Sequence, residues 1–140
     1  MESTVKWNSG MAFTAHQGGH AIDLDAAQDS GGMDSGSSPK GLLLSGLGGC
    51  TGIDVVSILE KMRVPLEGFE VQATAELTEE HPKVFKSIHL RYAFRGKDLP
   101  VEKLEKAVIL SMDRYCGVSA MLAKAAPISW EIVVESEGVC

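Results

Sequence analysis

Ser38-Pro39-Lys40-Gly41-Leu42-Leu43-Leu44-Ser45-Gly46-Leu47-Gly48-Gly49-Cys50-Thr51-Gly52-Ile53-Asp54-Val55-Val56-Ser57-Ile58-Leu59-Glu60-Lys61-Met62 is the stretch on which the fold turns. Ser38 is a good N-cap, and Pro39 suits the first helical position, where its missing N–H costs nothing. From Pro39 the pattern is helical to about Met62. Gly46, Gly48 and Gly49 interrupt it, each costing about 1 kcal/mol relative to Ala. The helix is therefore held by packing or broken near Gly48. Leu42, Leu43, Leu44 and Leu47 before Cys50, and Ile53, Val55, Val56, Ile58, Leu59 and Met62 after it, cover nearly the whole circumference. Such a helix is central and buried. A chain of 140 residues has little material to bury it on all sides, so a homodimer that sandwiches it is the expected solution.

The same stretch carries the chemistry. Cys50 follows two glycines, and Cys116 sits in Arg114-Tyr115-Cys116-Gly117-Val118-Ser119. An inert core thiol has no need of flanking glycines, so bare backbone beside both cysteines implies that something approaches the sulfurs. The third cysteine, Cys140, ends the sequence and is read as an exposed thiol without a role.

Outward from the helix, Val5 and Trp7, then Met11, Phe13 and Ala15, alternate about Gly10 as a hairpin, and Ile22 and Leu24 suggest a third strand. Residues 29–38 have the composition of a flexible loop. Phe69 to Leu77 alternates apolar and polar, as do Ile88, Leu90, Tyr92 and Phe94, which predicts a long antiparallel hairpin. Asp98 and Pro100 open a second helix through Val101, Leu104 and Val108 to about Met112. A short helix follows Cys116-Gly117, and Ile128, Trp130, Ile132 and Val134 close with a strand. No repeat or linker divides residues 1–140, so a single α+β domain is expected.

Composition narrows the function. The net charge is -6 with no basic run, which argues against nucleic acid and against anionic membrane surfaces. The first residues lack the pattern of a secretory signal, and no apolar run is expected to reach the length of a membrane span. The expected address is cytoplasmic. There, cysteines that pair do so transiently, in catalysis or redox sensing. No C-x-x-C spacing and no set of about four ligands suggests a zinc site, and no cofactor is expected. His16, His20, His81 and His89 read first as surface or strand residues, Glu76, Glu79 and Glu80 as a solvated strand end, and Trp7 and Trp130 as core anchors.

With these elements placed, the chain resembles the OsmC/Ohr family of thiol-dependent peroxidases, in its OsmC-like branch. The resemblance runs the whole length. Its specific pieces are Ser38-Pro39, Gly48-Gly49-Cys50, Ile53-Asp54-Val55-Val56 and Tyr115-Cys116-Gly117-Val118. The resemblance implies antiparallel sheets around two long central helices of an intertwined homodimer. It also implies a peroxidatic Cys50 and a resolving Cys116 that reduce small hydrophobic hydroperoxides in oxidative stress defence. The implied reductant is a dithiol, typically a dihydrolipoyl protein.

The sequence departs from that family at the groups that activate the thiolate. Full peroxidases of this type carry an Arg from the N-terminal region, oriented by a Glu near the start of the central helix. Here the first Arg is Arg63, and Lys40 and Gly41 stand where the Glu would fall. Nearby positive charge is what lowers a thiol's pKa, so the main activator of Cys50 is missing. His20 and Lys40 are the candidate substitute cations. Two functions are therefore expected in competition. One is a peroxidase working through Cys50 and Cys116, and the other is a weak or inactive family member that binds a small hydrophobic or electrophilic ligand in the dimer pocket.

Overall fold

A computed structural model describes residues 1–135; Cys140 lies outside the described residues. The chain divides into two compact units, Met1–Leu43 and a second from Leu44 onward.

The first unit is a three-stranded antiparallel sheet in the order β1 (Thr4–Ser9), β2 (Ala12–Gln17), β3 (His20–Leu24). Gln17 pairs with His20, and the two residues between them, Gly18 and Gly19, have φ of +54° and +81°. A two-residue turn with positive φ at both positions matches the strand twist and suits glycine. Trp7, expected in the core, is 65% exposed; its indole N–H donates to Gly10 O at 2.9 Å.

The loop after β3 is also more ordered than its composition implies. The buried Asp25 carboxylate accepts from the Ser35 hydroxyl at 2.7 Å and from the N–H groups of Ser35 at 3.1 Å, Ala26 at 2.7 Å and Met33 at 3.2 Å. These donors, the Ser35 hydroxyl foremost, favour the ionised form and hold Asp25 below the usual carboxylate range against the opposing effect of burial. A 3-10 turn, Gln28–Ser30, lies inside this loop.

The long helix α1 (Pro39–Lys61) begins in the first unit and runs through the second without a break at its glycines. Ser38 caps it, its Oγ accepting from Gly41 N–H at 3.1 Å. Leu47, Thr51, Val55 and Leu59 are buried, one stripe at spacing four. Full burial was expected, yet Leu43, Ile53 and Val56 are 50%, 72% and 45% exposed within the single chain. α1 is also long and apolar enough, by length and composition, to cross a membrane, contrary to the expectation for apolar runs. Its glycines interrupt the side-chain pattern without adding polarity.

The second unit's sheet has the order β4 (Gly68–Leu77), β5 (Phe85–Arg95), β6 (Ile128–Glu135). β4 and β5 are antiparallel, with Val71 opposite Tyr92. β6 runs parallel to β5, with Leu90 opposite Trp130, so the sheet is mixed where antiparallel sheets were expected. The reason is the connection: α2 (Val101–Leu110) and α3 (Gly117–Leu122) carry the chain back along the sheet, as a parallel crossover requires. Leu47, Val55 and Leu59 of α1, Ile88, Leu90, Tyr92 and Phe94 of β5, and Leu104, Ala107 and Val108 of α2 make one core. Trp130 packs against it with its ring edge-on to Tyr92, centroids 6.3 Å apart.

Candidate active site

The expected end of α2 near Met112 falls inside a different structure. Residues Ser111–Tyr115 form a π turn, in which Cys116 N–H donates to Ser111 O at 2.8 Å. One extra residue turns everything beyond it by about 100° around the helix axis relative to an uninterrupted α-helix. Ser111 is fully buried and Cys116 3% exposed.

Cys116 is the N-cap of α3, its Sγ accepting from Ser119 N–H at 3.4 Å while the Ser119 hydroxyl donates to Cys116 O at 3.0 Å. Burial pushes the Cys116 thiol above its ordinary pKa. The bonds to Ser119 oppose that shift, and a hydrogen bond and like charge shared with Cys50 add to it. Both cysteines are free thiols, and Cys50 packs against the core that contains Cys116. Cys50 is partly exposed and Cys116 buried, so a reagent from solvent meets Cys50 first.

Beside the thiols lies a polar cluster that the sequence analysis did not single out. Thr51 Oγ1 is 2.8 Å from Tyr92 Oη and 2.7 Å from Ser111 Oγ. Ser111 Oγ donates to Asp54 Oδ2 at 2.9 Å. A hydroxyl has one proton to give, so this last bond fixes the order: Tyr92 donates to Thr51, Thr51 to Ser111, and Ser111 to Asp54. Tyr92 and Thr51 are fully buried. Burial raises the Tyr92 phenol to about 12, opposed by its bond to Thr51 and aided by the charges of Cys116 and Asp54. Asp54 is half-buried and opens on a pocket of about 520 Å³ that Ser57, Lys61, Leu110 and Tyr115 also line. The signal available in sequence was the presence of Thr51, Asp54 and Ser111 at interior positions of apolar helices.

The two candidate cations belong to the first unit. His20 opens β3 and Lys40 stands in the first turn of α1, both exposed. Neither side chain has a hydrogen bond or ion pair among the described residues. His89 bridges Ser129 Oγ at 2.7 Å and Glu131 Oε2 at 2.6 Å on the exposed sheet face. Among the described residues no group of His, Cys, Asp and Glu could hold a metal ion.

Residues 32–131 match the family model described as OsmC-like protein. The chain belongs to the OsmC-like protein family. Protein YhfA of Escherichia coli (strain K12) is 41% identical over 136 residues, covering 95% of this chain and 98% of that protein. The crystal structure of a hypothetical protein from Aquifex aeolicus VF5 superposes with a TM-score of 0.82 at 31% identity, covering 96% of each chain. The organic hydroperoxide resistance protein OhrB of Bacillus subtilis superposes with a TM-score of 0.65 at 20% identity, covering 94% of this chain and 98% of that one. At that identity the likeness is one of fold.

Proposed function

We propose that this chain is a thiol-dependent peroxidase that reduces small organic hydroperoxides, with Cys50 peroxidatic and Cys116 resolving. The observation that carries the reading is the pair of free thiols at one core, Cys116 buried within it and Cys50 packed against it and partly exposed to solvent. Cys50 thiolate attacks the O–O bond, the alkoxide leaves and takes a proton as the alcohol, and Cys50 becomes a sulfenic acid. Cys116 displaces its hydroxyl as water and closes a disulfide, which a dithiol, in the form of a dihydrolipoyl protein, reduces by exchange. Membership of the OsmC-like family, whose fold organic hydroperoxide resistance proteins share, supports a role in peroxide stress. The proposed setting is cytoplasmic, as one domain per subunit of a homodimer in which the exposed Leu43, Ile53 and Val56 of α1 are covered by the second copy.

The second reading rests on the absence of any Arg before Arg63. On it, the chain binds a hydrophobic or electrophilic ligand and turns over no peroxide. A steady-state assay with cumene hydroperoxide and dihydrolipoamide separates the two. The peroxidase reading expects consumption that rises with pH, because the thiolate is the nucleophile, and that Cys50→Ala abolishes. No consumption even at pH 9 puts the ligand-binding reading ahead.

A further inference from the structure

Ser111 is bonded to both cysteine-bearing segments. Its carbonyl accepts the Cys116 N–H at 2.8 Å, a bond that depends on the π register of the turn. In an uninterrupted α-helix Ser111 O would take the Tyr115 N–H, and Met112 O that of Cys116. The Ser111 hydroxyl meets two residues of α1, accepting from Thr51 Oγ1 at 2.7 Å and donating to Asp54 Oδ2 at 2.9 Å. Thr51 follows Cys50 directly, and Asp54 lies one turn further on, on the helix face that carries Cys50. Thr51 is tied in turn to Tyr92 Oη of β5 at 2.8 Å. Around these groups the core is apolar, with Leu47, Val55 and Leu59 of α1 and Leu104, Ala107 and Val108 of α2. Apolar packing is non-directional and tolerates small slips of one helix along another. Hydrogen bonds do not, since they hold heavy atoms within about 3 Å at near-linear angles, and buried hydroxyls left without partners are costly.

We propose that Ser111 is the positioning residue of the dithiol site, a clamp that fastens the turn presenting Cys116 to the face of α1 carrying Cys50 and so sets the effective concentration of one thiol at the other. A disulfide needs Cα atoms within about 7 Å and a narrow range of dihedral angles, so small slips between the two segments weaken it. The hydroxyl fixes the turn against Thr51 and Asp54, and the carbonyl of the same residue fixes the Cys116 backbone. Asp54 and Thr51 act through Ser111 and are positioning residues as well. The clamp needs an acceptor at position 54 and not a charge there. This role rests on the pairing of Cys50 with Cys116 proposed above but not on the identity of the oxidant.

The test measures the equilibrium of the Cys50–Cys116 disulfide against glutathione, in the full chain carrying Cys140→Ala. Two protein thiols become one disulfide while oxidised glutathione becomes two reduced glutathiones, so atoms and electrons balance. The equilibrium gives the effective concentration of one thiol at the other, which a general loss of stability leaves alone so long as the chain is folded. Ser111→Ala should lower it about tenfold, the worth of a hydrogen bond to a charged group. Asp54→Ala should lower it as far, and the two changes together no further than either alone, since both break the same bond. Asp54→Asn keeps an acceptor oxygen for the Ser111 hydroxyl and should stay within about threefold of the parent. Val64→Ala, a cavity at a buried position beyond the end of α1, should lower stability in urea and leave the effective concentration unchanged. Thr51→Val, which cuts the other bond to the Ser111 hydroxyl, takes the place of Ser111→Ala if that variant does not fold. Folded clamp variants with the parent's effective concentration overturn the proposal. So does Asp54→Asn falling as far as Asp54→Ala, or Val64→Ala falling as far as Ser111→Ala. A parent chain that forms mixed disulfides with glutathione but no Cys50–Cys116 disulfide refutes the pairing itself. If the disulfide forms and the clamp variants weaken it while cumene hydroperoxide is not consumed, the peroxide reading fails and the clamp stands.

Discussion

At the residue scale the two cysteines were legible because their neighbours are unusual: glycines before Cys50 and after Cys116, in otherwise apolar contexts. If Cys50 is the peroxidatic thiol, Cys116→Ala should still be oxidised once per chain, leaving a sulfenic acid that dimedone traps. Mass spectrometry showing no adduct in that variant would contradict the assignment. The hydroxyl cluster was not legible, since Thr51 and Tyr92 meet only through tertiary structure. It has a consequence for stability that does not depend on function. The folded state holds the Tyr92 phenol at about 12 against an ordinary value of 10.0, so its contribution is complete below pH 10 and is lost as pH rises toward 12. A two-unit shift corresponds to about 3 kcal/mol at most. In urea titrations the parent protein should lose stability over that range, and Tyr92→Phe, which forgoes about 1 kcal/mol at neutral pH with its hydrogen bond, should lose correspondingly less. Parallel curves for the two proteins between pH 8 and 12 would contradict it.

At the scale of elements, strict alternation marked β4 and β5, and Ser38-Pro39 marked the start of α1 to the residue. The π turn was hidden because Ser111 to Tyr115 has no composition that distinguishes it from an ordinary last turn. The parallel partner of β6 was hidden because direction depends on how α2 and α3 cross the sheet, not on the strand's own residues. The unbroken α1 is a case of packing outweighing propensity. Leu47 is fully buried, and Leu47→Ala should cost about 3–5 kcal/mol in urea unfolding. The glycines pose a different question. A Cβ added at Gly46 or Gly49 meets nothing within 4 Å in its own chain, so nothing in one subunit accounts for their small size. Gly49→Ala should gain up to about 1 kcal/mol of helix propensity. If, as proposed, a second copy packs on this face, the same change should weaken self-association in sedimentation measurements. Unaltered association would place the partner elsewhere.

For the whole molecule, the exposed apolar residues of α1 and the open groove of about 560 Å³ lined by Gly48, Gly49, Gly52, Ile53, Val56 and Val71 among others are what the dimer proposal must cover. A chain whose central helix is finished only by its partner has no stable folded monomer. Sedimentation at low micromolar concentration should therefore find dimer and little folded monomer, and a compact folded monomer there would refute the proposal. The central claim is that Cys50 and Cys116 are one redox unit. The most direct measurement treats the reduced protein with one equivalent of cumene hydroperoxide, blocks remaining thiols with an alkylating agent, and maps the peptides by mass without reduction. The account predicts a Cys50–Cys116 disulfide within one chain, with both cysteines protected from alkylation. Recovery of both as alkylated thiols, or of Cys50 as sulfinic acid beside an alkylated Cys116, would contradict it.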